Sequence, residues 1–389
     1  MDGFAPARPG RPLPSVRMEL GGWALARTAT ARAAAVAAAL ACVVVSVVGG
    51  PVASGAAQSA PVSAAVARDV GQMLVARFAG ASPSPALLSA IHSGRVGGII
   101  LFGDNTGGAV AATRSLTARL QATAISGGNP RLLIMTDQEG GQVRRLAGPP
   151  ALAASQMTTP SVAAAQGRAT AEMLRSAGVN VDLAPVADVS EIDGFMTIEH
   201  RTFGSDPARV AAAACAFAGA LAAGGVGYTL KHFPGLGDAV LSTDDAPVSV
   251  PAGAGLLAAS DAAYRRCGSG PRALVMISSA SYPHLTGSTP AVMSPAAYRG
   301  LASDRADAVT ISDDLQAPAL AGVTAPARTA INAGLDLALY AQTEAAAEDA
   351  YPILVDDIRL GVLSVHRVAA AAAAIHALKQ SLGLLTASS

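Results

Sequence analysis

An α/β fold built around a parallel barrel is what this chain predicts, and two observations predict it. Short apolar runs alternate with helical segments over most of the length, and each run ends in polar or glycine-rich residues. Strands buried on both faces read as continuous apolar stretches, and a parallel barrel gathers its reactive side chains at the C-terminal ends of its strands. The clearest instance is TLKHFPGLGDAVLSTDDAP, from Thr229 to Pro247, where an apolar run ends in Lys231-His232 and enters Phe233-Pro234-Gly235-Leu236-Gly237.

Taken in order, a Pro/Ser/Ala linker leads to residues 65–79, whose apolar Val70, Met73, Leu74 and Val75 predict a helix. Residues 96–102 (VGGIILF) predict a buried strand with the polar tip Gly103-Asp104-Asn105, and residues 109–123 an amphipathic helix. Residues 131–136 form a strand that opens into Asp137-Gln-Glu-Gly-Gly-Gln-Val-Arg-Arg145. A helix over 161–177 stops at Gly178, and the strand 179–185 leads to Asp188. The helix 207–223 ends at Gly224-Gly225, and the strand 226–230 follows. Further strands span 273–277, ending in Ser278-Ser279; 308–311, ending in Ser312-Asp313-Asp314; and 335–339, ending near Tyr340. Helices over 344–360, with a kink or break at Pro352, and over 364–382 close the chain.

Seven recognisable strands of this kind fit a single-domain (β/α)8 TIM-like barrel over 67–389, after a linker at 58–66. A doubly wound open sheet would alternate in the same way. It would carry a Gly-x-Gly-x-x-Gly turn after its first strand, and none is present.

The 389 residues hold 27 basic and 27 acidic side chains, and no basic cluster, which argues against nucleic acid as the main partner. At the N-terminus Arg8, Arg11, Arg17, Arg27 and Arg32 precede an apolar run over 33–48, and small residues follow near Ser54 to Ala57. That order describes an export signal over 1–57, with an uncleaved membrane anchor as the alternative. The expected location is therefore extracellular or in the cell envelope, and a membrane enters only through that anchor. Cys42 goes with the signal; Cys215 and Cys267 are expected to pair in an oxidising compartment, against the alternative of two buried thiols. No spacing suggests a metal, no cofactor is expected, and a monomer is expected.

The strand-end residues are Asp137, Arg145, Asp188, Lys231, His232 and Asp313, joined by Arg201 in Arg-Thr-Phe-Gly-Ser-Asp. Carboxylates mixed with cations suit a ligand rich in hydroxyls, such as a sugar. Four motifs occur together and in order: Asp137-Gln-Glu-Gly-Gly141 with Val143 and Arg145, Arg201-Thr-Phe-Gly204, Lys231-His232-Phe-Pro-Gly235, and Ile311-Ser-Asp-Asp-Leu315. In this the chain resembles glycoside hydrolase family 3, and its layout is similar to that of the single-domain β-N-acetylhexosaminidases, from about residue 65 onward. The resemblance implies a retaining hydrolase of β-linked sugars, acting on N-acetylglucosaminides of cell-wall glycans, with Asp313 as nucleophile. It also implies that Asp137, Arg145, Arg201, Lys231 and His232 grip the sugar in the −1 subsite.

One loop departs from the family's pattern. Where the family continues Lys-His-Phe-Pro-Gly with His-Gly-Asp and ends the loop in Asp-Ser-His, this chain has Leu236 and then Ser242-Thr243-Asp244, and Ser279 stands where another His is common. Either Asp244 serves as general acid/base, as one member of a carboxyl pair, or the loop carries no working acid and the protein is a weakened enzyme or a sugar-binding envelope protein. Asp245 and His200 are further candidates for the acid, and a transferase or phosphorylase is a third reading.

Overall fold

A computed structural model describes residues 61–304 and 308–385. Eight parallel strands form the centre: β1 (Leu74–Ala76), β2 (Gly98–Leu101), β3 (Leu133–Thr136), β4 (Val181–Asp182), β5 (Gly227–Phe233), β6 (Ala273–Ile277), β7 (Val309–Ser312) and β8 (Ala338–Leu339). From β1 to β7 each pairs in parallel with the next in sequence, and β8 returns to pair with β1. The gap between β7 and β8 is closed by a parallel bridge from Ile311 to Leu337, with the Leu337 N–H donating to Thr310 O at 2.9 Å. The ring is thus a (β/α)8 barrel. Every residue of its strands is buried, which accounts for their mostly apolar spelling, broken by Thr136, Asp182, Thr229, Lys231, His232, Thr310 and Ser312.

Helices alternate with the strands: α1 (Ala64–Gln72), α2 (Pro85–His92), α3 (Val110–Ser126), α4 (Pro160–Ser176), α5 (Pro207–Ala223), α6 (Ala254–Cys267), α7 (Pro295–Asp304), α8 (Pro326–Ala333), α9 (Ala345–Arg359) and α10 (Val365–Ser381). Three of them begin at a capping residue followed by proline. The side chains of Ser84, Thr159 and Asp206 accept the N–H groups of Leu87, Val162 and Ala208, and the proline in the first turn lacks an N–H that would otherwise have no partner.

One element departs from the expectation. Residues 65–79 are not a single helix: α1 stops at Gln72, and Leu74–Ala76 is the eighth strand. A short apolar run carries no periodicity that separates a buried strand from a helix face. Helix α9 runs without interruption through Pro352.

Cys215 on α5 and Cys267 at the end of α6 are joined, with Cα atoms 5.5 Å apart and a sequence separation of 52. Closing a loop of that length restricts the unfolded chain. Replacing both cysteines by serine is expected to lower the unfolding free energy by about 2 to 5 kcal/mol, read as a lower urea midpoint with a steeper slope, because the released unfolded chain exposes more surface. An unchanged midpoint would contradict this. Cys42 and the expected signal lie outside the described residues.

Candidate active site

The C-terminal ends of the strands open into a cleft of about 410 Å³. Asp137, Arg145, Arg201, Lys231, His232, Asp244 and Asp313 all line it. The chain reaches this arrangement through four pieces of backbone, after β3, after β4, at and after β5, and after β7.

After β3, Gln138–Gly140 pairs antiparallel with Val143–Arg144. The reversal needs glycine: Gly140 and Gly141 have φ of 107° and 57°, and a Cβ on Gly140 would lie 2.1 Å from Leu152 O. Alternation along the extended segment sends Gln138 into the interior, where its Nε2 donates to Leu146 O and Pro149 O, and leaves Asp137 and Glu139 on the opposite side. The hairpin then returns Arg145 to 3.9 Å from Asp137, with its guanidinium 5.2 Å from the centroid of the Phe102 ring.

At the end of β5, Lys231 Nζ lies 2.8 Å from Asp137 Oδ1 and 2.7 Å from Glu139 Oε1. Glu139 in turn accepts two hydrogen bonds from Arg201, Nε and Nη2, each at 2.9 Å. The two cations hold the buried Glu139 carboxyl far below the usual carboxylate range, despite a desolvation cost acting the other way. Lys231, although fully buried, has its pKa raised, because Asp137 and Glu139 outweigh that desolvation. Beneath them Asp182 is buried, and desolvation pushes its pKa up.

Glu139 was not singled out in the sequence, although it stands two places from Asp137 in an extended segment and so shares its face. Removing one member of a buried ion network leaves the others uncompensated. Glu139→Ala is therefore expected to cost about 3 to 5 kcal/mol of stability and to weaken sugar binding. Its folded pKa is depressed, so this contribution is present above the unfolded value of about 4.3 and is lost as pH falls. Equal stability of variant and wild type at neutral pH in urea titration would contradict the assignment.

His232 is held by Asp188: its Nδ1 lies 2.8 Å from Asp188 Oδ2, and its backbone N–H donates to Oδ1 at 3.0 Å. The Leu236 N–H donates to the same Oδ1 at 2.7 Å. Asp188 therefore acts as the post to which the end of β5 and its loop are tied, a role its position after β4 did not disclose. The peptide between Lys231 and His232 is cis, and both side chains line the cleft.

After β7, Asp313 Oδ1 accepts the Asp314 N–H at 2.9 Å, and Oδ2 accepts Thr243 Oγ1 at 3.4 Å. Thr243 is the neighbour of Asp244, so the loop after β5 reaches across the cleft to the carboxyl on β7. Both carboxyls have raised pKa values. Burial is the main cause at Asp313, helped by Asp244 and opposed by His232 and Lys231. Burial is also the main cause at Asp244, helped by Asp314 and opposed by His232 and Arg201. The Asp244 charge thus disfavours ionisation of Asp313 across the shared space of the cleft.

Asp245 and His200 are exposed and are not among the residues that line the cleft. Ser279 is buried beneath the rim and is not among them either. Among the described residues, no group of three or more His, Cys, Asp or Glu is arranged to hold a metal ion.

Residues 65–378 match the glycosyl hydrolase family 3 N-terminal domain. The beta-hexosaminidase LpqI of Mycobacterium tuberculosis is 32% identical over 292 residues, covering 71% of this chain and 73% of that protein. An uncharacterized secreted glycosyl hydrolase of Arthroderma benhamiae is 35% identical over 238 residues, covering 59% of this chain and 67% of that one. Among solved structures, a glycoside hydrolase family 3 beta-N-acetylglucosaminidase from a Paenibacillus species superposes with a TM-score of 0.73 at 28% identity. That alignment covers 83% of this chain, which spans 63% of the Paenibacillus chain.

Proposed function

Because the chain belongs to glycosyl hydrolase family 3, we propose that it hydrolyses β-linked N-acetylglucosaminides with retention, Asp313 acting as nucleophile and Asp244 as general acid/base. The observation that carries this reading is the meeting of the two carboxyls in one cleft, with Thr243 linking the loop of one to the side chain of the other. A retaining mechanism needs a carboxylate to attack the anomeric carbon and a protonated group to deliver a proton to the departing oxygen. The groups that favour charge, Lys231, His232 and two hydrogen-bond donors, converge on Asp313. Asp244 has the Asp314 carboxyl beside it, which adds to burial in disfavouring its charge, and it is assigned the proton.

Asp137, Arg145, Arg201, Lys231 and His232 are proposed to hold the sugar's hydroxyls by charge-assisted hydrogen bonds. Their mutual ion pairs support this, since the side chains are fixed before the ligand arrives. In the second half-reaction Asp244, now ionised, would take a proton from water as it attacks the glycosyl-enzyme ester and releases Asp313.

The direct test is to follow hydrolysis of an aryl β-N-acetylglucosaminide by proton NMR. The first product formed should be the β-anomer; α-anomer first, or no turnover, would overturn the mechanism. Export is proposed as well, through residues 1–57. The Cys215–Cys267 bond, which belongs to an oxidising compartment, and the secreted relative support it. Among the described residues no helix is long and apolar enough to cross a membrane.

A further inference from the structure

Beside the cleft, large apolar side chains are left in water. Val240 and Leu241 are 70% and 55% exposed, although Ala239 before them and Thr243 after them are buried. On the adjoining loop Ile192 and Ile198 are 40% and 67% exposed. The two loops are fastened together: Ser190 Oγ donates to Gly237 O at 2.7 Å, and the Glu191 N–H donates to Asp238 Oδ1 at 2.8 Å. A Cβ on Gly194 would stand 2.4 Å from Ala239 O and 3.4 Å from Ile192 Cδ1, so the Ile192 side chain lies where the loops meet. Both loops also feed the cleft, one through Phe195, Met196 and Glu199, the other through Leu236, Thr243 and Asp244. Single apolar residues on a surface are ordinary, but a group of them on two joined loops whose neighbouring residues line a cavity is the kind of patch that marks a binding surface.

Resting on the reading of Asp244 as the proton donor, we propose that Val240 and Leu241, with Ile192 and Ile198 on the neighbouring loop, form the leaving-group subsite, and that it selects glycosides whose leaving group carries an apolar alkyl or aryl portion. The group that protonates the departing oxygen must face the leaving group, and Leu241 is three residues from Asp244 on the same loop. The sugar side of the cleft is crowded with charge: Asp137, Arg145, Arg201 and Lys231. The border beyond Asp244 adds exposed aliphatic carbon at Val240 and Leu241, set among the acidic side chains Glu191, Asp193 and Asp238 and with no cation on that stretch of either loop. The occupant favoured by that contrast is one whose polar end lies in the cleft and whose apolar end lies over Val240 and Leu241.

The test uses methyl and octyl 1-thio-β-N-acetylglucosaminide, the octyl compound kept below its micelle concentration. Thioglycosides resist hydrolysis, so calorimetry reads binding whether or not the protein turns over oxygen glycosides. Wild type is expected to bind the octyl compound at least about tenfold more tightly, roughly the worth of two methylene groups taken out of water. In Val240→Ser/Leu241→Ser that ratio should fall towards one. A ratio near one in wild type, or the same ratio in the double variant, overturns the proposal. So does a flat ratio accompanied by loss, in the double variant, of phosphatidylcholine-vesicle binding or of self-association, which would make the patch a lipid or a self-contact surface. Selective octyl binding without cleavage of the oxygen glycosides would retain this proposal and remove the hydrolase reading.

Discussion

Asp313→Asn is expected to lower kcat/KM for an aryl β-N-acetylglucosaminide by on the order of 10⁴-fold or more, because the amide cannot form the ester intermediate. The fold should survive the change. Asp313 contributes no ion pair to the Lys231–Glu139–Arg201 network, and neutralising it relieves its repulsion with Asp244. Loss of activity with an unchanged unfolding midpoint therefore isolates the chemical role. Asp313→Gly adds a sharper readout: the space vacated beside the sugar admits azide, which attacks from the same side as the missing carboxylate and should give an α-glycosyl azide. A variant within tenfold of wild type, or a β-azide, would remove Asp313 from the reaction.

Asp244→Asn should separate substrates by their need for a proton. An activated aryl leaving group departs with little assistance, whereas an alkyl or sugar alkoxide does not, and general acid catalysis is worth about 10²- to 10⁴-fold. The expected result is a loss of that size on a methyl glycoside and a much smaller loss in the glycosylation step of an aryl one. The pH dependence follows with a definite sign. In the proposed roles Asp313 has to be ionised, so activity should fall as pH drops through its raised pKa, and Asp244 has to be protonated, so activity should fall as pH rises through its own raised pKa. The variant should lose the alkaline limb and keep the acid one. Equal losses on both substrates, with both limbs intact, would place the acid elsewhere.

Much of this site was legible in the sequence because its residues break a pattern. A lysine and a histidine at the end of an apolar strand, and two aspartates at the end of another, are charged or titratable where most of the barrel's strand residues are apolar. Closure of the ring then brings Lys231 to Asp137 across 94 residues, which no local signal foretells. Glu139 and Asp188 fall into that class, since their roles depend on partners from other strands. β1 escaped for a different reason. Three buried residues directly after a helix have neither length nor alternation to set them apart. The loop after β5 was readable in composition but not in reach: that Thr243 would touch Asp313 depends on the shape of the turn between Leu236 and Asp245.

The bond between α5 and α6 brackets the middle of the barrel, and the stretch it encloses carries Lys231, His232 and Asp244. A protease admitted at the exposed turn near Val240 to Pro247 would sever the polypeptide while leaving both pieces tethered through sulfur. Such a nicked molecule would migrate as one species without reductant and separate into two with it. Damage at the mouth of the cleft would thus leave the scaffold in one piece.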